Sequence, residues 1–159
     1  MNEFITLHEI MKDINSIPEE NRLTYATNKY LVFFNNVDII QYFLVKHCSF
    51  YDLFKEFNYL NIANTKTELV SVTTDEIFSL LDYPEFNNFT REEIKDYENV
   101  MHLDLWPEGT WNAPIIAVGK NNKYIAIDGN NRLRMLRMYI KYSNSYIKNK
   151  HSLYLISEV

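Results

Sequence analysis

The sequence predicts an α+β protein, in which a mainly helical, aromatic-rich module (residues 1–64) precedes a small mixed sheet with helices (residues 65–159). Three observations carry this prediction. The first 108 residues contain no glycine, which favours packed helices over tight turns. A threonine followed three residues later by a glutamate recurs before apolar stretches and marks helix starts. Short apolar runs such as PIIAV and YIAI predict strands towards the C-terminal end.

Length and composition narrow the class of protein. With 159 residues, 47% of them hydrophobic and 23% charged, the chain is large enough to bury a core and is not expected to be disordered. The single cysteine, Cys48, excludes an intramolecular disulfide framework and a cysteine-rich zinc site, and no metal site is predicted. The apolar runs are far shorter than the roughly 20 residues that span a bilayer, and the first residues show no signal-peptide pattern. We therefore expect a cytoplasmic protein without membrane contact.

Helices dominate the predicted N-terminal module. Thr6 and Glu9 form a capping box ahead of an amphipathic helix, residues 37–46 repeat apolar side chains at helical spacing, and Ser49 is placed to cap a further helix. The run YLVFF at residues 30–34 fits either a strand or a buried helical segment. The dense aromatic side chains of this module predict either a core or a surface that binds a partner protein.

The second module is predicted to follow a polar, loop-like break at residues 61–66. Its expected elements are, in order, a strand TELVSV from Thr67, helices capped by Thr73/Glu76 and Thr90/Glu93, a turn WPEGTW from Trp106, a hairpin of PIIAV and YIAI around residues 119–123, a helix after DGNN, and a last strand SLYLI from Ser152.

Charge is distributed unevenly along the chain. Residues 1–118 hold eight basic and 19 acidic side chains, whereas residues 119–150 hold eight basic side chains and only Asp128 as an acid. The formal net charge is −5. Such a basic segment on an acidic body indicates either a local anion site or simple pairing with the acidic body.

The most informative segment joins the strand YIAI through Asp128–Asn131 (DGNN) to a helix from Arg132 to about Tyr142. A glycine turn entering a helix exposes free N–H groups and the positive end of the helix dipole, which suit phosphate or carboxylate. Gly129 would permit a close backbone approach, and Arg132 would add a planar cation. Asp128 fits either a capping role or a carboxylate facing a metal. In the helix, Leu133, Leu136 and Ile140 are predicted to form the buried stripe.

The order of elements over residues 67–159 resembles the N-terminal domain of ParB and the wider ParB/sulfiredoxin fold. Members carry a GxxRxR box at the strand–helix junction, which DGNNRLR fills here with Gly129, Arg132 and Arg134. The resemblance implies binding of nucleotide phosphates, ATP or CTP with Mg²⁺, by residues Asp128, Gly129, Asn130, Asn131, Arg132 and Arg134. Sulfiredoxin needs a cysteine where Asn130 or Asn131 stands, so sulfinic acid reduction is not expected. The helix-turn-helix of partition ParB has no counterpart in the sequence.

A catalytic ParB-like domain needs a general base or metal carboxylate near this loop. Glu108 is the first candidate and Asp104 the second, because both precede the PIIAV strand, which lies near the ligand cleft in that fold. Trp106 and Trp111 fit either base stacking or core packing. His102 fits either an acid/base role or a surface position.

Three functions follow as hypotheses. The favoured one is a nucleotide-phosphate-binding protein, with phosphotransferase or nucleoside triphosphatase activity left open. The alternative is a non-catalytic interaction factor of the phage or mobile-element antagonist or immunity type, which binds a protein partner through the N-terminal module. The second alternative is nucleic-acid binding or nuclease activity through the basic segment 132–150.

Overall fold

The computed structural model describes residues 3–81, 90–92, 95, 109–111, 113–120, 123–142 and 147–159, without the side chains of Lys120, Asn131, Tyr139, Lys141 and Tyr142. The chain is an α+β protein of helices and a four-stranded mixed sheet, as the sequence predicts. It divides into two compact units, one formed by residues 1–67 with 156–159 and the other by residues 68–155.

The first unit is built from helices. They are α1 (Leu7–Asn15), α2 (Arg22–Phe34), α3 (Val37–Ile39) with a π-helical continuation (Ile40–Val45), and 3₁₀ segments at Glu19–Asn21, Cys48–Phe57 and Ile62–Asn64. The Thr6 hydroxyl accepts a hydrogen bond from the Glu9 N–H at 3.2 Å, which confirms the predicted cap of α1. The run at residues 30–34 is helical and ends α2. The predicted cap at Ser49 is wrong, because the segment begins one residue earlier and its cap residue, His47, makes no side-chain hydrogen bond.

Aromatic side chains supply much of the core of this unit. Tyr30, Phe34 and Phe43 are buried, and the Phe43 and Phe54 rings meet edge to face at 5.5 Å. Others remain on the surface, because Phe50 and Tyr42 are more than half exposed. The prediction of an aromatic core is therefore confirmed for the buried rings, whereas the partner-binding surface stays a prediction.

The loop predicted at residues 61–66 is wrong. Ile62 is fully buried and opens the 3₁₀ turn, and the first strand starts at Thr65. Asn61 is buried because its side-chain oxygen accepts hydrogen bonds from the Ile5 N–H at 3.0 Å and the Ala63 N–H at 3.2 Å. A polar side chain can be buried when it is hydrogen-bonded, so the polar residues at 61–66 do not indicate a loop here.

The sheet has the strand order β1-β4-β2-β3. Its strands are β1 (Thr65–Thr73), β2 (Ile115–Lys120), β3 (Lys123–Asp128) and β4 (Lys150–Glu158). Strands β2 and β3 pair antiparallel, with Val118 opposite Ile125 and Ile116 opposite Asp128, so the predicted hairpin is confirmed. The predicted first and last strands are also confirmed, each slightly longer than expected.

Helices α4 (Thr74–Leu80) and α5 (Asn130–Tyr142) belong to the described part of the second unit. Helix α4 is capped by the Thr73 hydroxyl, which accepts from the Glu76 N–H at 3.2 Å, as predicted. Helix α5 buries Leu133, Met135, Leu136 and Met138 in one core cluster with residues of β2 and β4. Ile140 is half exposed, so its predicted place in the buried stripe is wrong. The capping box at Thr90 and Glu93 lies outside the residues that can be assessed, since Glu93 is not described.

Candidate anion-binding site

The junction between β3 and α5 is a sharp turn at Gly129. Strand β3 ends at Asp128 and helix α5 begins at Asn130, so one residue makes the whole change of direction. Gly129 has φ +103°, a region that side chains rarely adopt. A Cβ at this position would lie 2.7 Å from Cγ1 of Ile115 and 3.1 Å from Nη2 of Arg132. Glycine is therefore required twice, by its dihedral angle and by the close approach of its neighbours.

The Arg132 guanidinium lies directly over this turn. Its Nη1 donates a hydrogen bond to the Ala113 carbonyl, and its Nη2 lies 3.5 Å from Oδ2 of Asp128. The side chain is only 19% exposed. Burial lowers the pKa of Arg132, and the Asp128 carboxylate opposes that shift. An arginine remains charged under such a shift, so the site holds a partly desolvated cation beside one carboxylate.

The first amides of α5 lie outside the hydrogen-bond ladder of the helix. The first i to i−4 hydrogen bond of the helix runs from the Leu133 N–H to the Gly129 carbonyl at 3.1 Å. The N–H groups of residues 130–132 precede that bond, so the helix ladder does not use them. They share the N-terminal end of the helix with the Arg132 guanidinium, and both features attract negative charge.

The other predicted ligands of the turn are placed differently. Asn130 is exposed and its Nδ2 donates to the Ala126 carbonyl at 3.3 Å, which ties the side chain back to β3. Asn131 contributes its backbone to α5. Arg134 is partly buried, with its Nε inaccessible to solvent. Arg137 lies with its guanidinium 5.3 Å from the centre of the Phe78 ring. Arg134 and Arg137, which belong to the predicted basic segment, are thus both partly buried against the protein.

The predicted acids of the site lie outside the described residues. This applies to both Glu108 and Asp104, and also to His102 and Trp106, so their roles stay predictions. Trp111 is described and buried, with its indole N–H donating to the Ser152 carbonyl at 2.8 Å. Its ring faces the His151 ring at 4.7 Å, so it packs in the protein interior as one of its two readings expects.

A second polar cluster, centred on His151, was not predicted from the sequence. His151 is 1% exposed, and its two ring nitrogens lie 2.9 Å from the Thr74 hydroxyl and 2.6 Å from the Thr110 hydroxyl. Burial first and Lys148 second lower its pKa to about 4. No local pattern signals this cluster, because the three residues are far apart in the sequence and meet only in the fold.

Two further features bear on ligands and location. Among the described residues, no group of three or more His, Cys, Asp or Glu side chains is arranged to hold a metal ion. Within the same part of the chain, no helix has the length and apolar character needed to cross a membrane.

Comparison of the chain with protein-family models, with curated proteins and with solved structures finds no match.

Proposed function

We propose that this protein binds the phosphates of a nucleotide of the ATP or CTP type at the turn formed by Asp128–Arg132. The observation that carries the proposal is the Arg132 guanidinium held over Gly129, beside three helix amides that the helix ladder does not use. A phosphate offers several acceptor oxygens, and charge-assisted bonds to a guanidinium and to backbone N–H groups are the stronger kind.

The guanidinium retains donors for such a ligand. Of its five N–H donors, the bonds described above use one towards Ala113 and direct another towards Asp128. The Asp128 contact at 3.5 Å is loose for a charge-assisted hydrogen bond. We therefore propose that Ala113 fixes the side chain while a phosphate displaces or shares the contact with Asp128. The ParB-like order of strands and helices in the sequence supports a nucleotide over an isolated phosphate.

The metal in this proposal would enter with the nucleotide. Mg²⁺ is commonly bound by one or two carboxylates together with substrate phosphates and water, so it needs no dedicated protein cluster. Asp128 is the described carboxylate closest to the proposed phosphate position. A hydrolytic or transferase activity would need a base in addition, and Glu108 and Asp104 stay the proposed bases for it.

Calorimetric titration with ATP, CTP and inorganic triphosphate, each with and without Mg²⁺, tests the proposal. Wild-type protein is expected to bind at least one of them. Arg132→Ala removes a charge-assisted contact worth roughly 1.5–3 kcal/mol, so affinity should fall about 10- to 150-fold. Arg91→Ala, which removes an exposed arginine outside the turn, is the matched control and should bind like the wild type. Absence of heat for all three ligands at millimolar concentration would refute the proposal.

A second variant examines the competing carboxylate. Asp128→Asn removes the negative charge that lies 3.5 Å from the guanidinium while keeping the size of the side chain. Binding of metal-free triphosphate is expected to tighten, because the ligand no longer competes with a carboxylate. Weaker metal-free binding in Asp128→Asn would show that Asp128 positions the guanidinium and does not compete for it.

A protein-interaction role is the second candidate, favoured by the exposed apolar side chains of the first unit. Val32 is 81% exposed, Leu53 68% and Phe50 56%. Large exposed apolar side chains that cluster mark interaction surfaces. The test is co-purification. A single protein retained in stoichiometric amount by wild type and by Arg132→Ala, and lost with Leu53→Asp, would favour this role over nucleotide binding.

A further inference from the structure

The buried cluster around His151 forms a chain of three side chains. The Thr110 hydroxyl lies 2.6 Å from Nδ1 of His151, and the Thr74 hydroxyl lies 2.9 Å from Nε2 on the other side of the ring. Thr110 belongs to the segment before β2, Thr74 opens α4, and His151 is the second residue of β4. Three separate elements therefore converge on one imidazole.

The hydrogen-bond partners of this chain fix the direction of its protons. The Thr74 hydroxyl also lies 3.1 Å from the Lys148 carbonyl, which can only accept. Since a hydroxyl has one proton, Thr74 donates it to that carbonyl and accepts from Nε2–H of His151. A neutral imidazole then has its lone pair on Nδ1. The Thr110 hydroxyl donates to that lone pair, so His151 faces Thr110 as a base.

Several contacts hold this arrangement in place. The Trp111 ring packs on the His151 ring at 4.7 Å with an angle of 32°. Backbone bonds join the Lys148 N–H to the Gly109 carbonyl at 2.9 Å and the Thr74 N–H to the Asn149 carbonyl at 3.0 Å. Gly109 has φ +77°, which turns the chain immediately before Thr110. The pKa of His151, lowered to about 4 by burial and by Lys148, keeps the ring neutral at neutral pH, so that one ring nitrogen carries no proton.

The three members of the chain differ in exposure. His151 is 1% exposed, whereas Thr74 and Thr110 on either side of it are partly exposed. A nucleophilic hydroxyl, a base within hydrogen-bond distance and a third group that orients the base are the recurring parts of nucleophilic catalysis. Here the base is buried, and the two hydroxyls belong to partly exposed residues.

We propose that Thr110 is a base-activated nucleophile that reacts with electrophilic phosphorus, with His151 as its base and Thr74 as the positioning residue. In the step, Thr110 Oγ1 forms a bond to phosphorus, its proton passes to Nδ1 of His151, and the leaving group departs with the electron pair of the bond it had to phosphorus. A buried imidazolium is costly next to Lys148, so we expect one covalent event per chain and no turnover. This reactivity is independent of nucleotide binding at Arg132.

An alkyl fluorophosphonate is the probe, because it carries electrophilic phosphorus and fluoride as the leaving group. Full-length wild-type protein is expected to gain one phosphonyl group, which peptide mass spectrometry assigns to Thr110. Thr110→Ser keeps the hydroxyl and should be labelled, whereas Thr110→Val keeps the shape and should not be. Thr24→Val, which removes an exposed hydroxyl from α2, is the matched control and should be labelled like the wild type.

The base and the positioning residue have their own variants. His151→Gln is expected to slow labelling on the order of 100-fold, as loss of a general base does. Thr74→Val should slow it less, and lower the pH at which labelling begins to fail, because the protonated ring loses the oxygen that accepts its Nε2–H. Each variant is compared with wild type by circular dichroism to establish that it is folded. Absence of label on folded wild-type protein, label on other residues only, or equal labelling of Thr110→Val would overturn the proposal.

Discussion

The stability of this protein should depend on His151 between pH 6.5 and about 4. In the unfolded chain this imidazole takes up a proton near its ordinary pKa of 6.5, whereas in the folded protein burial and Lys148 lower the pKa to about 4. Within that interval the unfolded state binds more protons than the folded state. The free energy of unfolding therefore falls as the pH falls, and the full loss is reached below about pH 4.

The size of the effect follows from the shift in pKa. Each unit of separation between the two states is worth about 1.4 kcal/mol. A decrease from 6.5 to about 4 therefore corresponds to a loss of up to about 3 kcal/mol from one side chain. Because small proteins are stabilised by only about 5–15 kcal/mol, this loss should be easy to measure.

Urea denaturation from pH 7.5 to 4, followed by circular dichroism, measures this dependence in wild type and in His151→Gln. The glutamine keeps an N–H donor for Thr74 and removes the titrating ring. The difference between the two curves isolates His151, because other groups contribute equally to both. Asp13, whose pKa is lowered from 3.8 mainly by hydrogen bonds that outweigh burial, acts below this interval. Parallel curves for the two proteins, or an NMR titration that gives His151 a pKa of 6.5 or above, would refute the reasoning.

Two further predictions concern local strain and a buried network. Gly129→Ala should lower the free energy of unfolding by about 2–4 kcal/mol, because alanine is strained at φ +103° and its Cβ would collide with Ile115. Thermal denaturation measures this loss. The control is Gly119→Ala, which lies in β2 without a positive φ and should lower the free energy of unfolding by less. Asp13→Asn should lower the free energy of unfolding, measured by urea denaturation, by about 1–3 kcal/mol. The Asp13 carboxylate accepts hydrogen bonds from Tyr25 at 2.8 Å and Lys29 at 3.1 Å, whereas the NH₂ group of an amide can only donate. A loss no larger than that of the exposed control Asp38→Asn would contradict this.

Local sequence patterns predicted the elements whose signals are short-range. The caps at Thr6 and Thr73 were found because a hydroxyl and a helix N–H three residues later are fixed by local geometry. The hairpin of β2 and β3 and the glycine turn at Gly129 follow from the same kind of information. The polar residues at 61–66 gave a wrong loop prediction, because Asn61 is buried and hydrogen-bonded to the Ile5 N–H, which is distant in the sequence.

The candidate site was only partly predictable for the same reason. The pattern DGNNR indicates a cation beside a glycine turn, and Arg132 does lie over Gly129. Nothing in that pattern predicts that Ala113, 19 residues earlier, accepts a hydrogen bond from the guanidinium. The cluster of Thr74, Thr110 and His151 spans 77 residues and depends entirely on tertiary packing. Long-range polar contacts are thus the part that a single sequence does not reveal.

The proposed phosphate site is tested most directly by amide NMR spectra recorded during titration with ATP or CTP and Mg²⁺. The account predicts that the largest shifts fall on the backbone N–H groups of residues 129–133. Arg132→Ala should need about 10- to 150-fold more nucleotide to reach half of these shifts, whereas Arg91→Ala should titrate like the wild type. Saturating shifts centred on another part of the chain, or an unchanged midpoint in Arg132→Ala, would contradict it.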